Sequence, residues 1–335
     1  MYMYKIMFYT MMLMGTLITI SSNSWMGMWI GLEINLLSII PVLENTKNMM
    51  ESEAAMKYFI TQAMASTIML FAMMMMLSTS NMMKSKITSS LILDSAILTK
   101  MGAAPFHFWF PEVMQGLNWT NSMIMLTWQK IAPMIMFSYS TKPLMFTSVV
   151  IMMSVMISGI MGINQTSIRK ILSYSSINHI GWMMATMLTN QVLWSIYLSI
   201  YVMMTINMTM MFKSLSIFTM DQLINKMNDK KMIKIMFTLN FLSLGGLPPF
   251  IGFYPKWITI NFLIEQKMYV LTLTMIIMTL MTLLFYMRIT FTSITMSLAE
   301  TTMNEQGKKN NYIMMMTNFI VLSSLAGCML IYSFL

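Results

Sequence analysis

Apolar stretches of about 20 residues recur along the 335-residue chain, separated by short polar breaks. As α-helices, stretches of this length cross a hydrocarbon core of about 30 Å. The apolar runs are continuous rather than alternating with period two, so the pattern predicts helices and not a β-barrel. Eleven spans are expected, at roughly 3–22, 24–43, 54–78, 87–117, 120–139, 144–163, 170–189, 192–214, 232–265, 268–291 and 312–334. The fourth and ninth are too long for one straight crossing. Prolines interrupt both: Pro105 and Pro111 in the fourth, Pro248, Pro249 and Pro255 in the ninth. Connections are short apart from two polar segments, 215–231 with DQLINKMNDKK and 292–311 with AETTMNEQGKKNN. The expected fold is therefore an all-α polytopic membrane protein, a single transmembrane domain over residues 1–335.

The two broken spans run across the membrane in opposite directions. Interrupted segments in corresponding but opposed positions are a mark of inverted repeats in transporters. The pattern predicts one five-helix repeat at about 3–139, a second at about 144–291, and an appended C-terminal helix at about 312–334. Pro105 is expected to superpose near Pro248 or Pro249 after rotation about an axis in the membrane plane.

Composition agrees with this reading. Mean hydropathy is +0.67, 57% of residues are hydrophobic and only 9% are charged, too few for the surface of a soluble protein of this size. The net charge of +9 is no sign of nucleic-acid binding, because the basic residues lie at helix ends. Their distribution sets an orientation. The face carrying the N-terminus takes thirteen of the twenty Lys and Arg, among them Lys47, Arg169, Lys213 and Arg288. The opposite face takes only Lys84, Lys86, Lys142 and Lys267. The N-terminus is thus expected on the cytoplasm-equivalent side and the C-terminus across from it. One cysteine, Cys328, excludes a disulfide within the chain and an iron–sulfur cluster. Two histidines and no glycine-rich nucleotide fingerprint give no haem, zinc or dinucleotide site, so no cofactor is expected in this chain and no redox chemistry by it alone. The 53 methionines read as compositional drift in adaptable lipid-facing positions.

Four ionisable groups interrupt the apolar runs: Glu33 in WIGLEINLLSII, Lys100 in ILTKMGAAPFHFWFP, Lys130 in TWQKIAPM and Lys256 in GLPPFIGFYPKW. A charge at bilayer depth costs about 2.5–3.5 kcal/mol on insertion scales. A chain so poor in charge that keeps four such groups points to proton or cation movement. Lys130 has ten residues of its expected helix before it and nine after, so it falls near the midplane, too deep to snorkel out. Pro133 lacks the N–H that the Gln129 carbonyl would accept from, which leaves an acceptor in the same turn. Pro105 likewise frees the carbonyl of Met101, one residue after Lys100. Pro248 and Pro249 free those of Leu244 and Gly245, ahead of Lys256, which opens the outer half-helix. A lone buried carboxylate would protonate, whereas one facing a lysine stays charged; a Glu33–Lys100 pair is therefore expected. The three lysines are expected to form one polar file at mid-membrane depth.

Weaker candidates surround these four. His179 lies in SYSSINHIGWM with Ser175, Ser176 and Asn178, and its imidazole titrates near neutrality. A proton relay and a simple helix–helix hydrogen bond account for it equally. Glu112 follows Pro111 and is a second lesser candidate. Asp94, a turn and a half before Lys100, keeps an open role. His107, in PFHFWF, reads as structural.

Taken together, SNSWMGMWIGLEINLLSIIP, KMGAAPFHFWFPEV, WQKIAPM, SYSSINHIGWM and GGLPPFIGFYPKW resemble the subunit 2 family of mitochondrial NADH dehydrogenase in an insect-like version, over nearly the whole chain. That family belongs to the antiporter-like subunits of the respiratory complex I membrane arm. The resemblance implies eleven helices and a charged axis at Glu33, Lys100, Lys130 and Lys256; Asp94 is outside the family motif. It implies the mitochondrial inner membrane, with the N-terminus in the matrix and the C-terminus in the intermembrane space. The implied partners are other membrane-arm subunits and membrane lipids, with protons as the species moved. NADH and ubiquinone would be bound by other subunits. The expected function is that of a proton-translocating, non-redox subunit of NADH:ubiquinone oxidoreductase, coupled to electron transfer elsewhere in the complex. Two alternatives stand beside it: an autonomous cation/proton antiporter, and a structural membrane-arm subunit with a vestigial proton path.

Overall fold

A computed structural model describes residues 3–45, 48–78, 83–140, 143–228, 231–248 and 250–295. Among these residues the chain is helical, and the only extended pairing is an isolated antiparallel bridge between Ser167 and Thr219. The expected span at 312–334 and Pro249 lie outside the described residues. The chain divides into two compact units, Met1–Ser154 and Val155–Leu335.

The first unit contains α1 (Met3–Ser21), α2 (Trp25–Leu43), α3 (Met49–Ser78), α4 (Met83–Met101), α5 (Trp109–Gly116), α6 (Trp119–Leu126) and α7 (Trp128–Tyr139). Helix α8 (Leu144–Ile163) carries the chain across the boundary. Ser24 starts α2 by accepting from the Gly27 N–H at 3.2 Å, which satisfies one of the helix's orphan donors. Helices α1 and α2 pack at backbone distance. A Cβ on Gly31 would lie 2.8 Å from the Gly15 carbonyl oxygen, so only glycine permits this approach.

The second unit contains α9 (Ile168–Thr189), α10 (Gln191–Leu215), α11 (Met220–Asn228), α12 (Lys231–Gly245), α13 (Phe253–Glu265) and α14 (Tyr269–Thr295). The polar segment at 215–231, expected as a connection, holds the short helix α11. Its role is visible at Lys226, whose ammonium donates to the Leu215 carbonyl at 2.6 Å and the Ser216 carbonyl at 3.1 Å. These are C-terminal carbonyls of α10 that the helix itself leaves unbonded.

Among the described residues, six helices are long and apolar enough to cross a membrane: α1, α2, α3, α8, α10 and Tyr269–Ser293 of α14. The fourth, fifth, seventh and ninth expected spans fail this measure for physical reasons. The fourth and ninth are broken, as their prolines predict, into α4 with α5 and α12 with α13. The fifth is broken as well, against expectation. It parts at Thr127 into α6 and α7, so Lys130 stands near the start of a helix rather than in the middle of one. The Thr127 hydroxyl donates to the Met123 carbonyl at 2.7 Å, a back-bond that bends helices, and Pro133 removes a rung just beyond. Helix α9 is unbroken but polar. Every residue from Ile171 to Met187 is buried, so its serines, Asn178 and His179 meet protein rather than lipid.

Candidate functional site

In the first unit the site is built around the break between α4 and α5. Helix α4 closes with the Ala103 N–H on the Leu98 carbonyl at 3.1 Å and the Gly102 N–H on the Thr99 carbonyl at 3.2 Å. Gly102 has φ 74°, so the closure is a Schellman motif with glycine at its left-handed position. The chain then passes a cis Ala104–Pro105 bond and restarts at α5. Trp109 ties the halves together, its indole N–H donating to the Thr99 carbonyl at 3.0 Å. Lys100 lies in the last turn of α4, where the partial negative charge of the helix end favours a cation. The next ring, Phe110, lies 5.0 Å from the Lys130 ammonium, within cation–π range. Lys100 and Lys130 are both buried, at 7% and 3% exposure.

A cavity of about 20 Å³ adjoins Lys100. Space of that order admits about one water, provided polar partners are present. They are: Asn35 of α2, Tyr58 and Gln62 of α3 and Gln129 of α7 line it with Lys100, and Pro133 forms part of the wall. Gln62 donates to the Lys100 carbonyl at 3.5 Å. The Tyr58 hydroxyl donates to Gln129 Oε1 at 3.4 Å, and Gln129 Nε2 donates to Asn35 Oδ1 at 2.9 Å. Among the described residues, the Lys100 ammonium has no hydrogen-bond partner and no ion pair joins it to Glu33. Glu33 is nonetheless the acid whose field acts on Lys100, and its Oε1 is buried without a hydrogen-bond partner among the described residues. The expected pair is thus not formed: among the described residues the carboxylate and ammonium are out of direct contact.

The second unit repeats the closure. The Leu247 N–H bonds the Leu242 carbonyl at 3.3 Å, the Gly246 N–H bonds the Ser243 carbonyl at 3.0 Å, and Gly246 has φ 78°. Lys256, in the first turn of α13, folds back on this end and donates to the Gly245 carbonyl at 3.0 Å. That carbonyl is one of the two the prolines were expected to free. Gly246 is required for its φ, and a Cβ there would lie 2.9 Å from the Lys256 ammonium nitrogen, which would have to leave its place. The polar patch of α9 is enclosed in the same unit. His179 Nδ1 and the Tyr197 hydroxyl are 3.0 Å apart, and Asn178 donates to the Thr282 hydroxyl at 3.3 Å. Tyr201 lies beside Ser176, and Tyr286 beside Ser175.

Other candidates fall elsewhere. Glu112 is exposed and pairs with Lys57 at 3.1 Å, outside the buried cluster. Asp94 is fully buried in α4. His107 is buried and sits 3.3 Å from the Pro105 carbonyl, in keeping with a structural part. No group of three metal-binding side chains occurs among the described residues. Sequence reasoning missed the neutral members: Asn35, Tyr58, Gln62 and Gln129 in one unit, Tyr197, Tyr201 and Tyr286 in the other. The available signals were the place of Gln129 beside Lys130 and that of Asn35 two residues after Glu33.

Six long apolar helices and lysines buried at the breaks of others define a polytopic helical membrane protein with ionisable groups in its interior. Residues 22–282 match the family described as NADH:quinone oxidoreductase/Mrp antiporter, transmembrane. NADH-ubiquinone oxidoreductase chain 2 of Anopheles gambiae is 44% identical over 335 residues, covering 97% of both chains. That of Locusta migratoria is 47% identical, covering 87% of this chain and 86% of its own. The chain belongs to this antiporter-like family, within it to the chain 2 group of the mitochondrial respiratory chain. The fold recurs in respiratory complex I from Thermus thermophilus, with TM-score 0.87 at 20% identity over 97% of this chain and 78% of that one. It recurs also in the Mrp complex of Dietzia, with TM-score 0.77 at 13% identity over 97% of this chain and 75% of that one.

Proposed function

We propose that this chain moves protons across the mitochondrial inner membrane as a non-redox subunit of NADH:ubiquinone oxidoreductase, with Glu33, Lys100, Lys130 and Lys256 on the path. The observation that carries this reading is Lys100: a buried ammonium beside a polar cavity, without a hydrogen-bond partner among the described residues and in the field of Glu33. A lysine held this way is poised to change protonation state. At an effective dielectric of about 20, bringing a carboxylate from about 8 Å to about 4 Å of an ammonium strengthens their attraction by about 2 kcal/mol. Small movement between α2 and α4 is therefore enough to switch Lys100 between holding and releasing a proton. A change of field from electron transfer in other subunits supplies the bias. The lysine-rich face, with the N-terminus, is the matrix side, and the C-terminus lies in the intermembrane space. The two broken helices belong to inverted repeats at about 3–139 and 144–291.

The test uses the assembled complex. Lys130→Leu is expected to leave assembly intact, lower the proton-to-electron ratio and slow coupled NADH oxidation. Glu33→Gln is expected to slow turnover several-fold, because Lys100 loses the charge that sets its state. A normal ratio and rate in both assembled variants overturns the reading. The match to a family that includes Mrp antiporters leaves one rival, an antiporter that works alone. Cation/proton exchange by the purified chain in liposomes would establish that rival instead.

A further inference from the structure

The cavity beside Lys100 has a feature that the charged residues do not explain. Its wall carries a chain of neutral groups, arranged here in one direction: Tyr58 hydroxyl to Gln129 Oε1, then Gln129 Nε2 to Asn35 Oδ1. A primary amide has two unlike ends, an acceptor and a donor. The Tyr58 hydroxyl takes the acceptor end of Gln129, which turns the donor end to Asn35. Asn35 in turn has its acceptor engaged by Gln129 and keeps its own N–H groups for the cavity that it lines.

We propose that Gln129 is a positioning residue that sets, through Asn35, the hydrogen-bond polarity of the Lys100 cavity. The inference rests on the proton-path reading above. In the arrangement described, Asn35 offers the cavity donors. Neutral lysine has a lone pair to accept with, so it suits such a wall, directly or through one water. An ammonium only donates, and the Asn35 Oδ1 it would need is turned toward Gln129. Rotating both amides by half a turn keeps the Gln129–Asn35 contact but reverses it, and Asn35 Oδ1 then faces the cavity. That arrangement suits the ammonium. The same three side chains therefore make two networks of similar shape and opposite polarity, each matched to one protonation state of Lys100. Burial raises the stakes, since a mismatched polar group has no bulk water to turn to. The position of Gln129 also bears on its neighbour. It precedes Lys130 in α7, just after the break at Thr127, and Pro133 leaves its carbonyl without the usual helical donor. One residue thus touches the Lys100 cavity through its side chain and adjoins Lys130 through its backbone.

The experiment compares Gln129→Met, Asn35→Leu, the double variant and Lys100→Met, all in the assembled complex. Coupled NADH oxidation and the proton-to-electron ratio are measured in sealed membranes. Gln129→Met is expected to lower coupled turnover about fivefold and to reduce the ratio, and Asn35→Leu to do much the same. The double variant is expected to be no worse than the worse single one, because both remove one chain. Losses that multiply in the double variant mean two independent packing roles and overturn the inference. So does full coupling in Gln129→Met. If Gln129→Met fails to assemble, Gln129→Glu keeps the volume and the acceptor for Tyr58 but its carboxylate cannot donate to Asn35. The same fivefold loss supports the inference, and full coupling overturns it. Lys100→Met separates the two levels: normal coupling there fells the proton-path reading itself, whereas loss there with normal Gln129→Met fells only the role of Gln129.

Discussion

The break after α4 and the break after α12 solve one local problem and place a lysine differently. Each first half-helix closes with a Schellman motif on a left-handed glycine, Gly102 or Gly246, and proline follows within three residues. In the first unit the lysine precedes the glycine by two residues and belongs to the helix that ends there. In the second it comes ten residues later, on the restarted helix, and reaches back to the Gly245 carbonyl. Both are thereby associated with the negative end of a first half-helix, one through sequence and the other through fold-back. The hydrogen bond makes the difference. Lys256 is clamped by a neutral carbonyl, which accepts from ammonium and amine alike. Lys100 answers to an ionisable acid and to a cavity. A proline break supplies acceptors, but whether a lysine spends them on a clamp decides how freely it responds to charge.

The largest expected contrast comes from removing the two lysines. Lys100→Met should depress coupled NADH oxidation about tenfold or more while leaving the heat-inactivation midpoint close to that of the parent complex. Lys256→Met should depress coupling and also lower that midpoint, because the buried Gly245 carbonyl loses its donor, worth about 1–3 kcal/mol. Equal heat stability of the two variants would erase the distinction between clamp and responsive site.

Substitution at the glycines sharpens the comparison at smaller scale. Gly102→Ala and Gly246→Ala both force a side chain into left-handed backbone, at about 1–2 kcal/mol. At Gly102 the added Cβ meets the Phe110 Cβ at 3.3 Å, a contact that yields with small shifts. At Gly246 it meets the Lys256 ammonium nitrogen at 2.9 Å. Gly246→Ala should therefore lower both heat stability and coupled rate more than Gly102→Ala, read from parallel inactivation and turnover assays. The smallest effect belongs to Glu112→Gln. Its pair with Lys57 is exposed on both sides, and such pairs contribute about 0–1 kcal/mol. Coupled turnover should stay within error of the parent, and a clear loss would return Glu112 to the path.

What the sequence disclosed follows from what stands out against lipid. Lys100, Lys130 and Lys256 were legible because a charge in an apolar run is costly, and Pro105 and Pro248 because proline breaks a helix wherever it falls inside one. The prolines even indicated the Gly245 carbonyl as a free acceptor, though not that Lys256 would fold back to take it. The break at Thr127 was hidden, since threonine in an apolar helix is ordinary and the bend shows only in its backbone, at φ −112° and ψ −72°. Helix α11 was hidden by its polarity and its length of 9 residues. Gln129, Asn35 and Tyr58 were harder to read for a deeper reason: an amide or a phenol carries no charge, so a place beside Lys130 or near Glu33 marks a neighbour without saying which neutral groups will meet.

Helix α9 bears on how such a chain drifts. Where an exposed apolar surface meets lipid it accepts any apolar side chain, because fluid acyl tails adjust to its outline; Met3, Met7 and Met14 of α1 are exposed residues of that kind. Enclosure from Ile171 to Met187 removes that freedom in every direction at once. Each replacement there must match neighbours in volume and in hydrogen bonding together, so inherited change in a methionine-rich sequence is expected to pass around this helix and leave it as the slow register of the molecule.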